Sequence, residues 1–159
     1  MRPAAQPYAP AMHRSSMTEV TAPAGHAESQ IARVLEESRR NLDRVEPADL
    51  AREMAAGALV VDMRPAQNRE REGALPGAVV VERTVLEWRL DPTSPDRIPE
   101  SDDPDRRIIL VCNEGYSSSL AAETLQRLGM RRATDLVGGY RKWREVSPSS
   151  GAPPAAAGA

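Results

Sequence analysis

Three short runs of apolar, largely β-branched residues constrain this chain most: Leu59-Val60-Val61-Asp62-Met63, Ala78-Val79-Val80-Val81 and Ile108-Ile109-Leu110-Val111. None alternates strictly between apolar and polar positions. Strands built from such runs must be covered on both faces, as the strands of a parallel sheet are. The intervening segments supply the covers. Ile31, Val34, Leu35 and Leu42 share one helical face, predicting a helix over 29–41 that covers a sheet face and leads into a short strand at Leu42–Val45. Pro47 suits the first turn of a helix continuing through Ala48–Ala56 to a stop at Gly57. Thr84 and Glu87 have capping-box spacing and predict a short helix through Trp88. Ser117–Leu128 reads as a helix with Ala121, Leu125 and Leu128 on one face and Gly129 at its end. A strand at Thr134–Val137 and a helix at Tyr140–Glu145 close the pattern, and the polar, proline-rich stretch 91–106 reads as a surface loop. Strands alternating with helices predict an α/β domain.

A chain of 159 residues has room for one such domain. Residues 1–27 and 147–159 are rich in Pro, Ala and Ser, which predicts two disordered tails, with Met17 as an alternative start. There is no Phe, so the core must be aliphatic. No run is apolar enough for a membrane span or a secretion signal, and a cytoplasmic protein without a membrane partner is the expectation. A formal net charge of −2 argues against a nucleic-acid partner. Lys142 is the only lysine among many arginines, a bias that suits a high-GC bacterial coding sequence.

The segment of greatest chemical interest follows the third apolar run. Cys112, the only cysteine, ends that strand; Asn113, Glu114, Gly115 and Tyr116 form a short loop, and Ser117 and Ser118 open a helix. In open α/β sheets the ligand crevice lies at the carboxyl ends of the strands. Successive backbone N–H groups running into a helix N-terminus form an anion-binding concavity, which favours a thiolate over a thiol. Ser117 and Ser118 add hydroxyl donors and are expected to cap the helix. Both histidines, His13 and His26, fall in the predicted N-terminal tail. Cys112 therefore lacks an imidazole base within the domain, which argues against a Cys–His hydrolase and against a cysteine–histidine metal site. No metal and no cofactor are expected.

The segment Cys112-Asn113-Glu114-Gly115-Tyr116-Ser117-Ser118 resembles the active-site loop of rhodanese-like sulfurtransferases, especially small single-domain ones with C-x-x-G-x-S-S. Three further fragments are similar to that family's motifs in order and spacing: Val61-Asp62-Met63-Arg64, Glu72-Gly73-Ala74-Leu75-Pro76-Gly77-Ala78 and Gly138-Gly139-Tyr140-Arg141-Lys142-Trp143. The resemblance covers residues 42–146. It implies a three-layer rhodanese-like fold with a mainly parallel five-stranded sheet and helices on both faces, preceded here by the extra helix in residues 28–41. It also implies a persulfide on Cys112, cradled by residues 113–118, that carries a sulfane sulfur from a small donor to a thiol or cyanide-like acceptor, with a protein donor or acceptor as the larger-scale version. Two departures qualify this. Ala74 stands where the family commonly has histidine, and Glu114 stands in a loop where thiosulfate-preferring members place cations, so a dianionic donor would meet repulsion.

Around the loop, Asp62 and Arg64 are read as bracing it or pairing with each other, with substrate contact as the alternative. Trp88 is a candidate for the pocket mouth, and Arg83 or Arg89 for the cation the loop lacks; a packed Trp and solvated arginines are the plainer reading. Gly138 and Gly139 are turn residues. The competing functions are a non-catalytic module that carries or senses sulfur, and a phosphatase or arsenate reductase. The last needs an arginine at the sixth position after the cysteine, where this chain has Ser118.

Overall fold

The computed structural model describes residues 29–147. Its centre is a sheet of four parallel strands, β1 (Leu59–Asp62), β2 (Val79–Val80), β3 (Ile108–Val111) and β4 (Ala133–Asp135), in the order β2-β1-β3-β4. The helices are α1 (Gln30–Arg39), α2 (Leu50–Ala55), α3 (Ala66–Glu72), α4 (Leu86–Leu90), α5 (Ser117–Arg127) and α6 (Gly139–Val146). Two separate cores explain the unalternated runs. Val61, Ile108 and Leu110 pack on one face with Leu86, Leu90, Ala121 and Leu125, whereas Val60, Ile109 and Val111 pack on the other with Leu50, Leu75 and Tyr140. Every residue of β1 and β3 is buried because odd and even positions each meet a helical layer. Aliphatic side chains dominate both layers, Tyr140 being the one aromatic buried there.

Five strands were expected and four are present. The segment at Leu42–Val45 makes a single parallel bridge, Val45 to Leu136, with Val45 N–H donating to Asp135 O and Val137 N–H to Val45 O. Pro47 follows at once, has no N–H for a ladder and opens a 3-10 turn over Pro47–Asp49 that leads into α2. The N-terminal helix exists but does not lie on the sheet. It packs against α5, which already covers that sheet face, and Ile31 and Val34 remain exposed. The expected capping box at Thr84 does not form. The chain makes a 3-10 turn over Arg83–Val85, α4 starts at Leu86, and Arg83 holds Glu87 at 2.7 Å instead of leaving it free to reach back. Neither Ser117 nor Ser118 caps α5: the capping position is Tyr116, and no side chain bonds there. Leu128 falls outside α5 and is exposed, and Gly129 beyond it has φ +101°. The predicted tails, apart from Ser147, lie outside the described residues, as do both histidines.

Candidate active site

The carboxyl ends of β1, β2 and β3 open into one cleft of about 510 Å³, whose lining includes Met63, Pro65, Arg83, Thr84, Cys112 and Ser117. This is the crevice between the two central strands, from which the chain departs in opposite directions across the sheet. Cys112 follows β3 on the side of Ile108 and Leu110 and is buried among the residues of that core. Gly115, with φ +77°, turns the loop so that its N–H donates to Cys112 Sγ at 3.1 Å.

The thiol also meets Ser118. Cys112 Sγ donates to Ser118 Oγ at 3.1 Å, and Ser118 Oγ donates in turn to Asp135 Oδ2 at 2.8 Å. Ser119 Oγ reaches the same carboxylate oxygen at 2.8 Å, and Arg44 closes the network through Nε to Asp135 Oδ1 at 2.7 Å and Nη2 to Oδ2 at 3.2 Å. Asp135, Ser118 and Ser119 are all buried. Burial alone pushes the Cys112 thiol up; hydrogen bonding with the hydroxyls of Ser118 and Ser117 and with loop amides outweighs it and leaves the thiol below its ordinary range.

The loop is fixed from a second side by the turn into α6. Gly138 and Gly139 both have positive φ, at +71° and +64°. A Cβ on Gly139 would stand 2.5 Å from Cys112 O, so only glycine allows this approach. The first amides of α6 then bond the loop, Tyr140 N–H to Cys112 O at 2.8 Å and Arg141 N–H to Asn113 O at 3.1 Å. Asn113 turns its side chain toward α3, donating from Nδ2 to Glu72 Oε2 at 3.0 Å and accepting from Asn68. Glu114 is half exposed and ion-paired with Arg141, which also binds Glu72 at 2.9 Å and, chiefly through that hydrogen bond, holds the Glu72 carboxyl below its ordinary range. The charge of Glu114 is thus partly neutralised.

The supporting residues divide. Asp62 and Arg64 are buried and bonded to each other, Nε to Oδ1 at 2.9 Å and Nη2 to Oδ2 at 2.7 Å. The Arg64 guanidinium lies 3.5 Å over the Tyr140 ring and donates to Gly73 O at 2.9 Å, which ties the end of β1 to α6. Arg83 lines the cleft while paired with Glu87. Trp88 and Arg89 do not belong there. Trp88 is 60 % exposed on another surface hollow beside Thr93 and Leu128, and Arg89 donates to Asp96 O. Leu86 and Leu90 form the buried face of α4, which leaves Trp88 and Arg89 on its outward face. Sequence reasoning missed Arg39, Arg44, Ser119, Asp135, Asn68 and Glu72. Asp135 carried a signal, a carboxylate ending an otherwise unacidic strand. Helix α3 carried none, since Ala66-Gln67-Asn68-Arg69-Glu70-Arg71-Glu72 has no apolar periodicity.

A sequence profile of the rhodanese-like domain matches residues 46–146. The chain belongs to the rhodanese-like domain family. Similar solved structures agree with the fold. One is a protein of unknown function and possible tyrosine phosphatase from Rhodopseudomonas palustris, at 29 % identity and TM-score 0.68, covering 79 % of this chain and 97 % of that one. Another is the human single-domain sulfurtransferase TSTD1, at 25 % identity and TM-score 0.56, covering 64 % of this chain and 95 % of that one. A thiosulfate sulfurtransferase from Pseudomonas aeruginosa matches at 22 % identity and TM-score 0.52 over 67 % of this chain and 18 % of that one, a likeness of fold. No curated protein gives a significant match. Among the described residues of this rhodanese-like domain, no helix is long and apolar enough to cross a membrane.

Proposed function

We propose that this rhodanese-like domain is a sulfurtransferase in which Cys112 takes a sulfane sulfur from a donor and passes it to a thiophilic acceptor. The observation that carries this reading is the cradle itself: a thiol held by the Gly115 amide and the Ser118 hydroxyl at 3.1 Å each, at the base of an open cleft. In the first step the Cys112 thiolate attacks the outer sulfur of the donor, a new S–S bond forms as the donor's own S–S bond breaks, and the donor leaves with that electron pair as its thiolate or sulfite anion. The resulting persulfide places its charge on a terminal sulfur within reach of the same donors. In the second step an acceptor nucleophile takes that sulfur and the Cys112 thiolate is released, so no net redox change falls on the protein.

The cleft favours an organic persulfide over thiosulfate as donor. Met63 and Pro65 give its lining an apolar side, and its charged members are Glu82, Glu114, Arg64 and Arg83, the two arginines already engaged by Asp62 and Glu87. A compact dianion gains little there, whereas an organic persulfide, whose other charged groups stand away from its sulfane sulfur on a carbon chain, fits. The test is turnover: with glutathione persulfide as donor and cyanide as acceptor, thiocyanate forms faster than in the uncatalysed reaction with the protein, and at the uncatalysed rate with Cys112→Ser. Equal rates for the two proteins contradict the reading.

Two other readings give different results in that assay. A sulfur carrier or sensor would form the persulfide on Cys112 but release no thiocyanate beyond the uncatalysed reaction. The likeness to a possible tyrosine phosphatase motivates the second. Against it stands Ser118, which occupies the sixth position after Cys112 and donates to Asp135, where an oxyanion-clamping arginine would be needed. Cys112-dependent hydrolysis of an aryl phosphate would favour the phosphatase.

A further inference from the structure

The loop around Cys112 contains no cation, yet two guanidinium groups converge on its back. Arg39, the last residue of α1, donates from Nη2 to Gly115 O at 2.7 Å and from Nε to Ser119 Oγ at 3.0 Å. Its guanidinium also lies 5.8 Å from the centre of the Tyr116 ring. Arg44 donates from Nη2 to the same Gly115 carbonyl at 3.2 Å. Both residues precede the stretch that matches the family profile, 46–146, and α1 has no part in the sheet. Like charges brought to one carbonyl repel; burial first, and the Arg44 charge second, push the Arg39 guanidinium down from its ordinary value. A surface helix held only by packing on α5 would not choose this arrangement. One buried carboxylate, Asp135, answers the two arginines, which leaves one positive charge in excess beneath the loop.

We propose that Arg39 is a positioning residue for the sulfur-accepting loop: it pins the Gly115 carbonyl away from Cys112, so that the Gly115 N–H stays aimed at the sulfur, and it places from behind the positive charge that the loop lacks. The inference deepens the sulfurtransferase reading and gives the N-terminal helix a task in it. The reasoning is conformational as well as electrostatic. Gly115 has no Cβ and would move freely between backbone conformations, and a clamp on its carbonyl removes that freedom. The charge then favours an anion on Sγ or on a persulfide sulfur.

Other charged or titratable groups surround Cys112. Arg64 after β1 is bonded to Asp62; Glu82 and Arg83 stand at the rim beyond β2; Glu114 is paired with Arg141 of α6; Tyr116 is exposed at the head of α5; Asp135 of β4 stands behind Ser118. Of the two guanidiniums on Gly115 O, Arg39 is the one without a carboxylate partner among the described residues.

The experiment measures the rate of Cys112 alkylation by iodoacetamide against pH, read by intact mass on the full chain. No sulfur donor is involved, so failure of sulfur transfer would leave this result standing, and the reverse holds too. Arg39→Gln is expected to raise the midpoint by roughly half to one pH unit, with Arg39→Lys restoring part of the shift because an ammonium keeps the charge but not the planar fork that fixes the Gly115 carbonyl. A folded Arg39→Gln protein with an unmoved midpoint overturns the proposal. If Arg39→Gln does not fold, Ser119→Ala and Arg39→Lys provide the same readout. A midpoint raised in both supports the clamp, and unchanged midpoints in both overturn it.

Discussion

At Cys112 two opposing effects are resolved by a small number of atoms. Burial disfavours the thiolate, and the Ser118 and Ser117 hydroxyls with the loop amides reverse that. Ser118→Ala is therefore expected to raise the alkylation midpoint of Cys112, and Asp135→Asn to act differently. Asp135 holds the Ser118 proton at 2.8 Å and so competes with the sulfur for it. An asparagine amide can donate to Ser118 Oγ and turn its proton toward the sulfur, which moves the midpoint opposite to Ser118→Ala; a shift in the same direction would show that Asp135 acts mainly by holding Arg44. Elsewhere the buried pair Asp62–Arg64 offers a stability test. Arg64→Met leaves a buried carboxylate unpaired and should cost about 3–5 kcal/mol in urea unfolding, with part recovered in Asp62→Asn/Arg64→Met. A loss below ~1 kcal/mol would mean that Asp62 finds another partner.

The elements that hold the loop approach it from three sides: β3 delivers Cys112, α5 brings its first-turn serines, and the start of α6 donates two amides to Cys112 O and Asn113 O. Gly139 sets the closeness of the last. Gly139→Ala is expected to destabilise the fold by upwards of ~1 kcal/mol and to raise the Cys112 midpoint, because a Cβ there meets Cys112 O and the Asn113–Glu114 peptide. Destabilisation with an unmoved midpoint would mean that α6 supports the fold and not the cradle. Strands β1 and β3, α5 and the cysteine loop were legible in the sequence because apolar runs and a strand–loop–helix junction leave local marks. Helix α3 was not, since its residues are polar and its function is to present Asn68 and Glu72 to Asn113. The reduced edge strand at Val45 was misjudged by pattern because a proline two residues later decides it. The Arg39 and Arg44 contacts span 76 and 71 residues of sequence, a separation that no local pattern encodes.

For the whole molecule, the thiol couples folding to pH. The folded protein releases the Cys112 proton at a lower pH than the unfolded chain does. Between the two values the unfolded state binds more protons, so the contribution of Cys112 to stability rises with pH, is complete above the unfolded value and is lost as pH falls through the folded one. Urea unfolding of the protein and of Cys112→Ser should therefore diverge as pH rises through this interval; parallel curves would mean a thiol with its ordinary proton affinity. The same anion-favouring site is what a persulfide requires. The central claim, that Cys112 accepts sulfur, is tested most directly by intact-mass analysis after incubation with glutathione persulfide and removal of excess donor. One added sulfur atom per chain, removable by a reducing thiol and missing in Cys112→Ser, is the predicted result. A protein that keeps its unmodified mass with that donor and with thiosulfate, or that gains the same sulfur without Cys112, would contradict it.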